Sequence, residues 1–386
     1  MNITIVSGFF LPVPPVAGGA MEKTWWRLGR IYAARGHRVT HLSRSWSSWP
    51  DAEWRDGVQH IRLPGFNHRR RLWQNLVLDA FWGSRVLHAL PPADILITNT
   101  VALPVFVRRL RPAAGRLVVN LNRYPKGQLR WYGQVARVQA ASRAIADAAC
   151  REAPRLASSV RVVPNPIEAV AIAAAGQDES SRASETITVG FFGRLHPEKG
   201  LVRLVEAAQR LHATPGLPRW RLVLRGPADV PRGGGGEPFI EDLRSRGAAL
   251  AAADRLRIEP PLFDAVRLHR AYHDLDIFCY PSVAEAGETF GVAVVEAMAA
   301  GLPVVVSDLE CFADHVTHER NGLVVPRAGD DPAGALAAAL RRLIVDAAFR
   351  RALGNEAAHT VSSLDDAAIA DQHLADYADL LHASVR

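Results

Sequence analysis

The chain has 386 residues, 48% of them hydrophobic and 22% charged. This length exceeds what one ordinary hydrophobic core supports and predicts two domains, while the composition is typical of a soluble globular protein. No run of about 18 uncharged apolar residues is present, so a membrane-spanning helix is not expected. Three cysteines, Cys150, Cys279 and Cys311, lack metal-binding or redox spacing and indicate a reducing, cytoplasmic environment.

The net charge of +7 is distributed unevenly along the chain. Residues 1–168 contain 24 lysines and arginines against 9 acidic residues, a net charge of +15, whereas residues 169–386 contain 22 against 30, a net charge of −8. The basic half is expected to attract an anionic lipid surface, at the inner face of a membrane, or an anionic acceptor, and less so at high salt. The alternative is charge that serves solubility alone.

Two stretches of the basic half interleave cations with aromatic residues, FNHRRRLW at 66–73 and RYPKGQLRWY at 123–132. They suit an acceptor-binding lip or a membrane-interface patch, because arginine, tryptophan and tyrosine serve phosphate contacts and interfaces alike. An ordinary surface is the third alternative. No nucleic-acid recognition motif accompanies these charges, so nucleic acid is not an expected partner.

The first stretch, MNITIVSGFF, lacks a basic leader and predicts a buried strand at residues 2–7 rather than a signal peptide. A proline-rich loop follows, and then a helix from about Ala20 to Arg35. Gly18 and Gly19, at the end of the loop, would let the backbone approach a ligand phosphate at this helix N-terminus. Glu22, in the first helical turn, is expected to compensate the helix dipole.

Short apolar runs at 39–42, 58–63, 95–98 and 117–120 alternate with helical stretches. This alternation predicts βα units and a doubly wound parallel sheet, whose ligands bind beyond the carboxyl ends of the strands. Asn120, Asn122 and Arg123 follow one such strand, which makes them candidate acceptor contacts.

The first domain is expected to end at residue 168, and residues 169–185 are expected to form a linker or a loose helix. A strand at 188–192 then leads into the loop GRLHPEKG at 193–200 and a helix from Leu201 to His212. Arg194 and Lys199 flank this loop, so both cations could converge on a diphosphate at the mouth of the helix. Two exposed cations on a turn are the simpler alternative for this loop taken alone.

The most informative stretch is residues 281–307, PSVAEAGETFGVAVVEAMAAGLPVVVS. A strand at 277–280 precedes it, and a helix is predicted from about Val292 to Ala300. Glu288 then lies on the loop at the helix mouth and Glu296 about one turn inside the helix. The free amides of residues 290–293 and the helix dipole favour an anion such as a diphosphate there. The alternatives are that both glutamates merely solvate a helix start, or that Glu285 takes the place of Glu288.

Other polar groups of the second half are assigned no chemistry. His269 and His273 lie four residues apart and are expected on a helix surface, since no third metal ligand is near in the sequence. Asp274 and Asp276 precede a buried strand, where such a pair usually forms a turn. Residues 233–236 are four consecutive glycines and predict a floppy loop. No metal and no cofactor are predicted.

Residues 281–307 resemble the donor-site signature of glycosyltransferase family 4, the retaining GT-B enzymes. Three features carry the resemblance: the two glutamates with seven residues between them, the Phe-Gly pair inside that interval, and the continuation Glu-Ala-Met-Ala-x-Gly-x-Pro-Val-Val. The loop at 193–200 resembles the second donor signature of that family. The resemblance implies an α/β GT-B fold with two Rossmann-like, doubly wound domains facing each other across a cleft. Residues 1–168 would bind the acceptor, 169–365 would bind the nucleotide-sugar donor, and a helix at 366–386 would pack back on the first domain.

Site roles follow from the resemblance. Glu288 would contact hydroxyls of the transferred sugar, while Arg194 and Lys199 would grip the leaving diphosphate, and these three residues form the implied catalytic set. Glu296 would bind the ribose hydroxyls, and backbone groups near Leu262 would read the base. The further implied donor contacts are Gly18, Gly19, Gly193, Thr289, Phe290, Gly291 and Val292. Thr289 replaces the glycine commonest in the family, and asparagine stands near 120–122 where many members carry histidine.

The resemblance implies a metal-independent hexosyltransferase that uses a nucleotide-diphosphate sugar, with a UDP-sugar favoured and GDP-mannose as second choice. The acceptor would be a hydroxyl of a sugar, a glycolipid or a natural product. One alternative is a non-catalytic nucleotide-sugar-binding subunit of the same fold, which the missing histidine favours and the intact Glu288, Arg194 and Lys199 oppose. The other is a nucleotide-sugar epimerase, which would need no acceptor.

Overall fold

The computed structural model describes residues 1–16, 19–67, 69, 71–176, 185–284 and 287–382. Contacts divide the chain into two compact units. Unit 1 comprises Met1–Pro166 and Asp366–Arg386, and unit 2 comprises Ile167–Asp365. The change from one unit to the other therefore lies two residues before the expected boundary at 168.

Among its described residues, unit 1 contains a sheet of eight strands in the order β3-β4-β2-β1-β5-β6-β7-β8. β3 pairs antiparallel with β4 at one edge, and the remaining pairs are parallel. The strands are β1 (Asn2–Val6), β2 (Arg38–Arg44), β3 (Ala52–Arg55), β4 (Val58–Leu63), β5 (Ile95–Thr98), β6 (Arg116–Leu121), β7 (Arg137–Ala140) and β8 (Val160–Val162). The helices before Pro166 are α1 (Ala20–Ala34), α2 (Leu72–Ala89), α3 (Leu103–Leu110) and α4 (Arg143–Glu152).

The central strands of unit 1 are buried on both faces, as their continuous apolar runs predict. β1 lies between β2 and β5, so the strand order reverses direction at β1 and β5. A crevice opens at the carboxyl ends of strands where this happens. Unit 1 therefore presents a ligand-binding position between the loops that follow β1 and β5.

Among its described residues, unit 2 contains six parallel strands in the order β11-β10-β9-β12-β13-β14. The strands are β9 (Ile187–Phe192), β10 (Trp220–Arg225), β11 (Leu256–Glu259), β12 (Ile277–Tyr280), β13 (Val304–Ser307) and β14 (Gly322–Val325). The helices are α5 (Ala169–Ala175), α6 (Leu201–His212), α7 (Glu237–Arg246), α8 (Ala248–Ala252), α9 (Ala265–His273), α10 (Val292–Ala299), α11 (Pro332–Val345) and α12 (Ala347–Val361). Taken in chain order this is the 3-2-1-4-5-6 order of a Rossmann sheet, with its reversal between β9 and β12.

The final helix, α13 (Asp366–His382), belongs to unit 1. Its Tyr377 is fully buried in the apolar cluster that also contains Ile3, Trp25 and Tyr32. The hydroxyl of Tyr32 lies 2.6 Å from Nδ1 of His373, and Arg137 pairs with Asp376 at 2.7 Å. These contacts make α13 a structural part of the first core.

Two expectations from the sequence are wrong at this level. Residues 233–236 are not a floppy loop, because each of the four amides donates to a carbonyl oxygen: those of Val230, Asp229, Leu195 and Ala228 in turn. His269 does not lie on a helix surface but is buried, with Nε2 3.7 Å from a carboxylate oxygen of Glu168. The cause is α5, which packs on α9. The carbonyl oxygen of Ile172, in α5, also lies 2.7 Å from Nε2 of His273.

Candidate active site

The loop between β9 and α6 brings its two cations to the amino end of α6. Pro197–Lys199 form one 3₁₀ turn, and Gly200 begins α6 with φ 70°, a left-handed conformation. A Cβ atom at Gly200 would overlap the carbonyl oxygen of Pro281, in the loop that follows β12. Glycine at this position therefore lets the two loops pack closely, which the sequence could not show.

Lys199 and Glu288 come together although 89 positions separate them in the chain. Their Nζ and Oε1 atoms form an ion pair, and both side chains are buried. The hydroxyl of Tyr280 donates to the same Glu288 oxygen at 3.2 Å. Burial, and next the Glu288 charge, raise the pKa of Tyr280, so the hydroxyl stays protonated and keeps donating at neutral pH.

Arg194 and Glu198 extend this group toward solvent. Arg194 donates to a Glu198 carboxylate oxygen at 2.6 Å and to the Gly233 carbonyl oxygen at 2.7 Å. The same Glu198 oxygen lies 3.6 Å from Nζ of Lys199. Burial alone would raise the pKa of Glu198, but the Lys199 and Arg194 charges outweigh it and lower the pKa. The result is an alternating chain of charges, Arg194, Glu198, Lys199 and Glu288, which we call the charge chain.

α10 begins beside this chain at Val292, two residues after Phe290. Gly291 precedes the helix with φ 79°, and the amides of Val294 and Val295 both donate to its carbonyl oxygen. The amides of Val292 and Ala293 precede these bonds and belong to the first helical turn, whose donors have no partner within the helix. Phe290 is buried against His315, with ring centroids 4.9 Å apart, which fixes the entry of the chain into the helix.

Glu296 lies on the second turn of α10 and lines a pocket of about 180 Å³ in unit 2. Gly193 and Leu262 line the same pocket, at the ends of β9 and β11, so the structure brings these three predicted donor contacts together. The hydroxyl of Tyr272 donates to Glu296 at 2.7 Å. Burial, and next the Glu296 charge, raise the pKa of Tyr272.

A larger pocket of about 430 Å³ opens within unit 1 at the carboxyl ends of β1, β5 and β6. Its walls include the predicted acceptor contacts Asn120, Asn122 and Arg123, together with Gly19. The side-chain amide nitrogen of Asn122 donates to Oδ1 of Asn120, so the two side chains support each other. Gly18 and Glu285 lie outside the described residues.

Two buried carboxyl groups of this unit 1 pocket were not among the predicted site residues. Asp79 of α2 accepts the amides of Val101 and Ala102 at 3.0 and 2.6 Å, and burial raises its pKa to about 6. Glu22 is buried against the same pocket, and burial raises its pKa as well.

Sequence reasoning also missed three partners of the unit 2 site. Tyr280 ends β12 directly before the glutamate motif, and Glu198 lies inside the quoted loop, so both carried a local signal. Tyr272 had none, because it reaches Glu296 from α9 across 24 positions.

Among the residues that the structure describes, no group of three or more His, Cys, Asp and Glu side chains could hold a metal ion.

Residues 186–346 match the family described as glycosyl transferases group 1. Over 246 residues the chain is 29% identical to a phosphatidyl-myo-inositol mannosyltransferase of Mycolicibacterium smegmatis, covering 63% of this chain and 58% of that protein. Over 154 residues it is 36% identical to a D-inositol 3-phosphate glycosyltransferase of Mycobacteroides abscessus, covering 40% of this chain and 31% of that protein. The chain thus spans less than two thirds of the length of these curated relatives.

Many solved structures resemble the chain, and two of them show how far the likeness extends. Sucrose-phosphate synthase from Thermosynechococcus elongatus matches with a TM-score of 0.77 and 24% identity, covering 99% of this chain and 100% of the other. Anabaena HepE, solved in complex with UDP and glucose, matches with a TM-score of 0.70 and 20% identity, covering 98% and 100%. At these identities the likeness shows the fold, which is GT-B with two Rossmann-like units.

Proposed function

We propose, from the match of residues 186–346 to the glycosyl transferases group 1 family, that the chain is a retaining, metal-independent glycosyltransferase. It moves a hexosyl group from a nucleotide-diphosphate sugar to a hydroxyl of a sugar, glycolipid or natural-product acceptor. The observation that carries this proposal is the charge chain at the amino ends of α6 and α10. It joins, in one hydrogen-bonded group, the two cations and the first glutamate that the sequence assigns to the donor.

In this proposal the diphosphate binds at the first turns of α6 and α10, where amides and helix dipoles favour an anion. Arg194 and Lys199 supply the balancing positive charge. Glu288 accepts hydroxyls of the transferred sugar, and Glu296 those of the ribose. The pocket shared by Gly193, Leu262 and Glu296 supports a nucleoside there, because Glu296 can accept two hydroxyls while backbone groups near Leu262 meet the base.

Transfer places positive charge on the anomeric carbon and negative charge on the departing phosphate. The acceptor hydroxyl attacks the anomeric carbon from the side of the leaving group, the bond from that carbon to the phosphate oxygen breaks, and the phosphate takes the hydroxyl proton. Arg194, Lys199 and the helix amides stabilise the departing charge. A preplaced donor of this kind contributes about 2.7 to 4 kcal/mol when it behaves like an oxyanion donor.

A UDP-sugar is the favoured donor and GDP-mannose the second choice. The similar HepE was solved with UDP and glucose, whereas the M. smegmatis relative is named a mannosyltransferase. A thermal-shift screen of nucleotide sugars distinguishes the two donors, because the correct donor stabilises the folded chain by mass action.

The acceptor belongs in the unit 1 pocket, where Asn120, Asn122, Asp79 and Glu22 present groups suited to hydroxyls.

The test compares transfer with donor binding in Arg194→Ala and Lys199→Ala. Each variant is expected to slow transfer by about 100-fold or more, in line with the loss of one oxyanion donor, and to weaken nucleotide binding much less. Arg210→Ala is the matched control, since Arg210 is an exposed cation of α6 that pairs with Asp331 at 2.5 Å. Equal losses in transfer and binding would contradict the proposal.

The stereochemistry is tested separately. An NMR assignment of the anomeric centre in the product is expected to show the configuration of the donor sugar. An inverted centre would reject front-face transfer while leaving donor binding at the charge chain intact. A new sugar nucleotide formed without any acceptor would instead identify an epimerase.

A further inference from the structure

α2 has an unusual exposed face. Its inner face packs on the core through Asp79, Trp82, Gly83 and Val86, at the spacing expected of a surface helix. Its outer face should be polar, yet five large apolar side chains in the first ten residues are each between 43% and 60% exposed. They are Leu72, Trp73, Leu76, Val77 and Phe81, which we call the α2 apolar face.

These five side chains form one surface rather than scattered exposures. Residues four apart on a helix are neighbours, so Leu72 lies beside Leu76, and Val77 lies between Trp73 and Phe81. The polar residues of the first turn, Gln74 and Asn75, are half-buried, and exposed polar side chains appear only in the last turns, with Ser84, Arg85 and His88. A contiguous apolar surface of this kind marks an interaction site, whereas single exposed apolar residues need no explanation.

Charge identifies the partner. Between residues 64 and 111 the sequence has seven arginines and two acidic residues, Asp79 and Asp94. Asp79 is buried in the bonds to Val101 and Ala102, and Asp94 accepts the amide of Asn2 at 2.6 Å, before the amino end of β5. Neither carboxylate therefore offsets the arginines next to the apolar face.

The arginines directly before α2 are held against it. The Asn75 side chain accepts the Arg69 amide at 2.8 Å and donates to the Arg69 carbonyl oxygen at 2.7 Å. Arg69 and Arg71 are both exposed. The backbone that carries these arginines is thus held at the same end of the helix as the apolar face, and exposed cations beside an apolar face are typical of helices that lie in a membrane interface.

The second basic and aromatic stretch borders the same pocket as α2. Leu72 and Leu76 line the unit 1 pocket from one side, and Arg123, Gln128 and Tyr132 line it as well. Trp131, next to Tyr132, is 74% exposed and follows the exposed Arg130. The two stretches that the sequence marks as interface candidates therefore meet around one opening.

We propose that the α2 apolar face, with Arg69 and Arg71, docks unit 1 on an anionic lipid bilayer. The apolar side chains would enter the boundary between headgroups and acyl chains, and the arginines would contact lipid phosphates. In the described part of the chain no helix is long and apolar enough to cross a bilayer, so α2 would lie along the surface. A further consequence, which rests on the proposed function, is that the unit 1 pocket opens at the bilayer and takes a lipid-linked acceptor.

The test measures binding of the whole chain to vesicles by co-sedimentation. Vesicles of phosphatidylcholine with equimolar phosphatidylglycerol are expected to bind the protein, and vesicles of phosphatidylcholine alone much less, with binding reduced by salt. The variant Trp73→Gln/Phe81→Gln is expected to bind the mixed vesicles at least about tenfold more weakly. The reason is that glutamine at these two positions buries less apolar surface in the bilayer. Arg69→Gln/Arg71→Gln is expected to reduce the salt dependence.

Trp54→Gln is the matched control, since Trp54 is an exposed tryptophan on the edge strand β3 of the same unit. It is expected to bind vesicles as the unmodified chain does. All substituted positions are exposed, and unchanged thermal unfolding checks that each variant folds. Equal binding to both vesicle types, or unaltered binding by Trp73→Gln/Phe81→Gln, would overturn the proposal. A homodimer that Trp73→Gln/Phe81→Gln dissociates would also overturn the proposal, because the α2 apolar face would then bind a second copy of the chain.

Nucleotide binding separates this proposal from the proposed function. Trp73 and Phe81 lie outside the described pocket walls, so the variant is expected to bind nucleotide as the unmodified chain does. Vesicle binding without any transfer activity would leave the docking surface standing and reject the enzyme.

Discussion

Lys199 and Glu288 are two buried, opposite charges that form one ion pair in the proposed donor site. The ion pair is favourable only while both partners remain, because an unpaired buried charge loses its hydration without compensation. The Tyr280 hydroxyl satisfies the same carboxylate oxygen and so strengthens the arrangement. The pair thus holds the proposed catalytic glutamate in place before any donor arrives.

This coupling predicts a non-additive stability series. Lys199→Met is expected to lower the free energy of unfolding by about 3 to 5 kcal/mol, and Glu288→Gln by less, because Glu198 still lies 3.6 Å from Lys199. The double variant is expected to lose less than the sum of the two, since it leaves no unpaired charge. Urea unfolding of the four proteins measures the cycle, and simple additivity would show that the two charges do not stabilise each other.

Glu198 occupies the position of an internal counter-ion, because it contacts both Arg194 and Lys199. Its lowered pKa keeps it charged at neutral pH, where it repels an approaching diphosphate. Glu198→Gln is therefore expected to bind UDP about two- to fivefold more tightly in calorimetric titration. Glu206→Gln serves as control, since Glu206 is a half-buried carboxylate of α6 that pairs with Arg246 at 3.5 Å. Weaker UDP binding by Glu198→Gln would mean that Glu198 instead orients Arg194.

At the scale of the element, the seam between β2 and β4 buries His41 beside His60, with ring centroids 5.8 Å apart. His41 bonds the Ser7 hydroxyl at 2.8 Å, but neither ring nitrogen of His60 has a partner among the described residues. Burial, and next the Arg62 charge, lower the pKa of His60 to about 4. The fold therefore holds this ring neutral.

The sign of the pH effect follows from that shift. Between pH 6.5 and about 4 the unfolded chain binds a proton at His60 that the folded chain does not, so acid destabilises the fold in this window. The contribution is about 1.4 kcal/mol per pH unit for one such histidine. His60→Phe is expected to fold at least as stably at neutral pH and to flatten the loss of stability toward pH 4.5, measured by urea unfolding. An unchanged slope would assign the acid sensitivity to other groups.

What the sequence could predict depended on how local each feature is. The spacing of Glu288 and Glu296 and the loop from Gly193 to Gly200 are local patterns, and the helices and strands around them lie within one or two residues of expectation. The pairing of Lys199 with Glu288 and the contact of Tyr272 with Glu296 depend on how distant strands line up, which local periodicity does not encode. The burial of His269 likewise depends on α5, expected only as a linker or a loose helix.

At the scale of the whole molecule, the chain leaves unit 1 after Pro166 and returns at Asp366. α13 closes the first core through Tyr377 and through ion pairs with α1, where Arg27 meets Asp366 at 2.9 Å. Unit 1 is therefore completed by a segment more than half the chain away from its last strand. The sequence suggested this return only through the family resemblance, since the alanine-rich tail carries no signal of its destination.

This arrangement predicts a selective loss of stability. Tyr377→Ala is expected to destabilise unit 1 by about 3 to 5 kcal/mol, as removal of a large buried aromatic ring does. Hydrogen exchange should then quicken in α1 and in β1 but not in β9 or β12. Gln372→Ala, at an exposed position of α13, is the control. Equal quickening in both units would show that α13 does not serve unit 1 alone.

The central claim is that a nucleotide diphosphate binds at the amino ends of α6 and α10, held by Arg194 and Lys199. The most direct measurement is a crystal structure of the chain with UDP or GDP bound. We expect phosphate oxygens within hydrogen-bond distance of both cations and the ribose hydroxyls against Glu296. A nucleotide bound away from the charge chain, with Arg194 and Lys199 still paired only to Glu198 and Glu288, would contradict the claim.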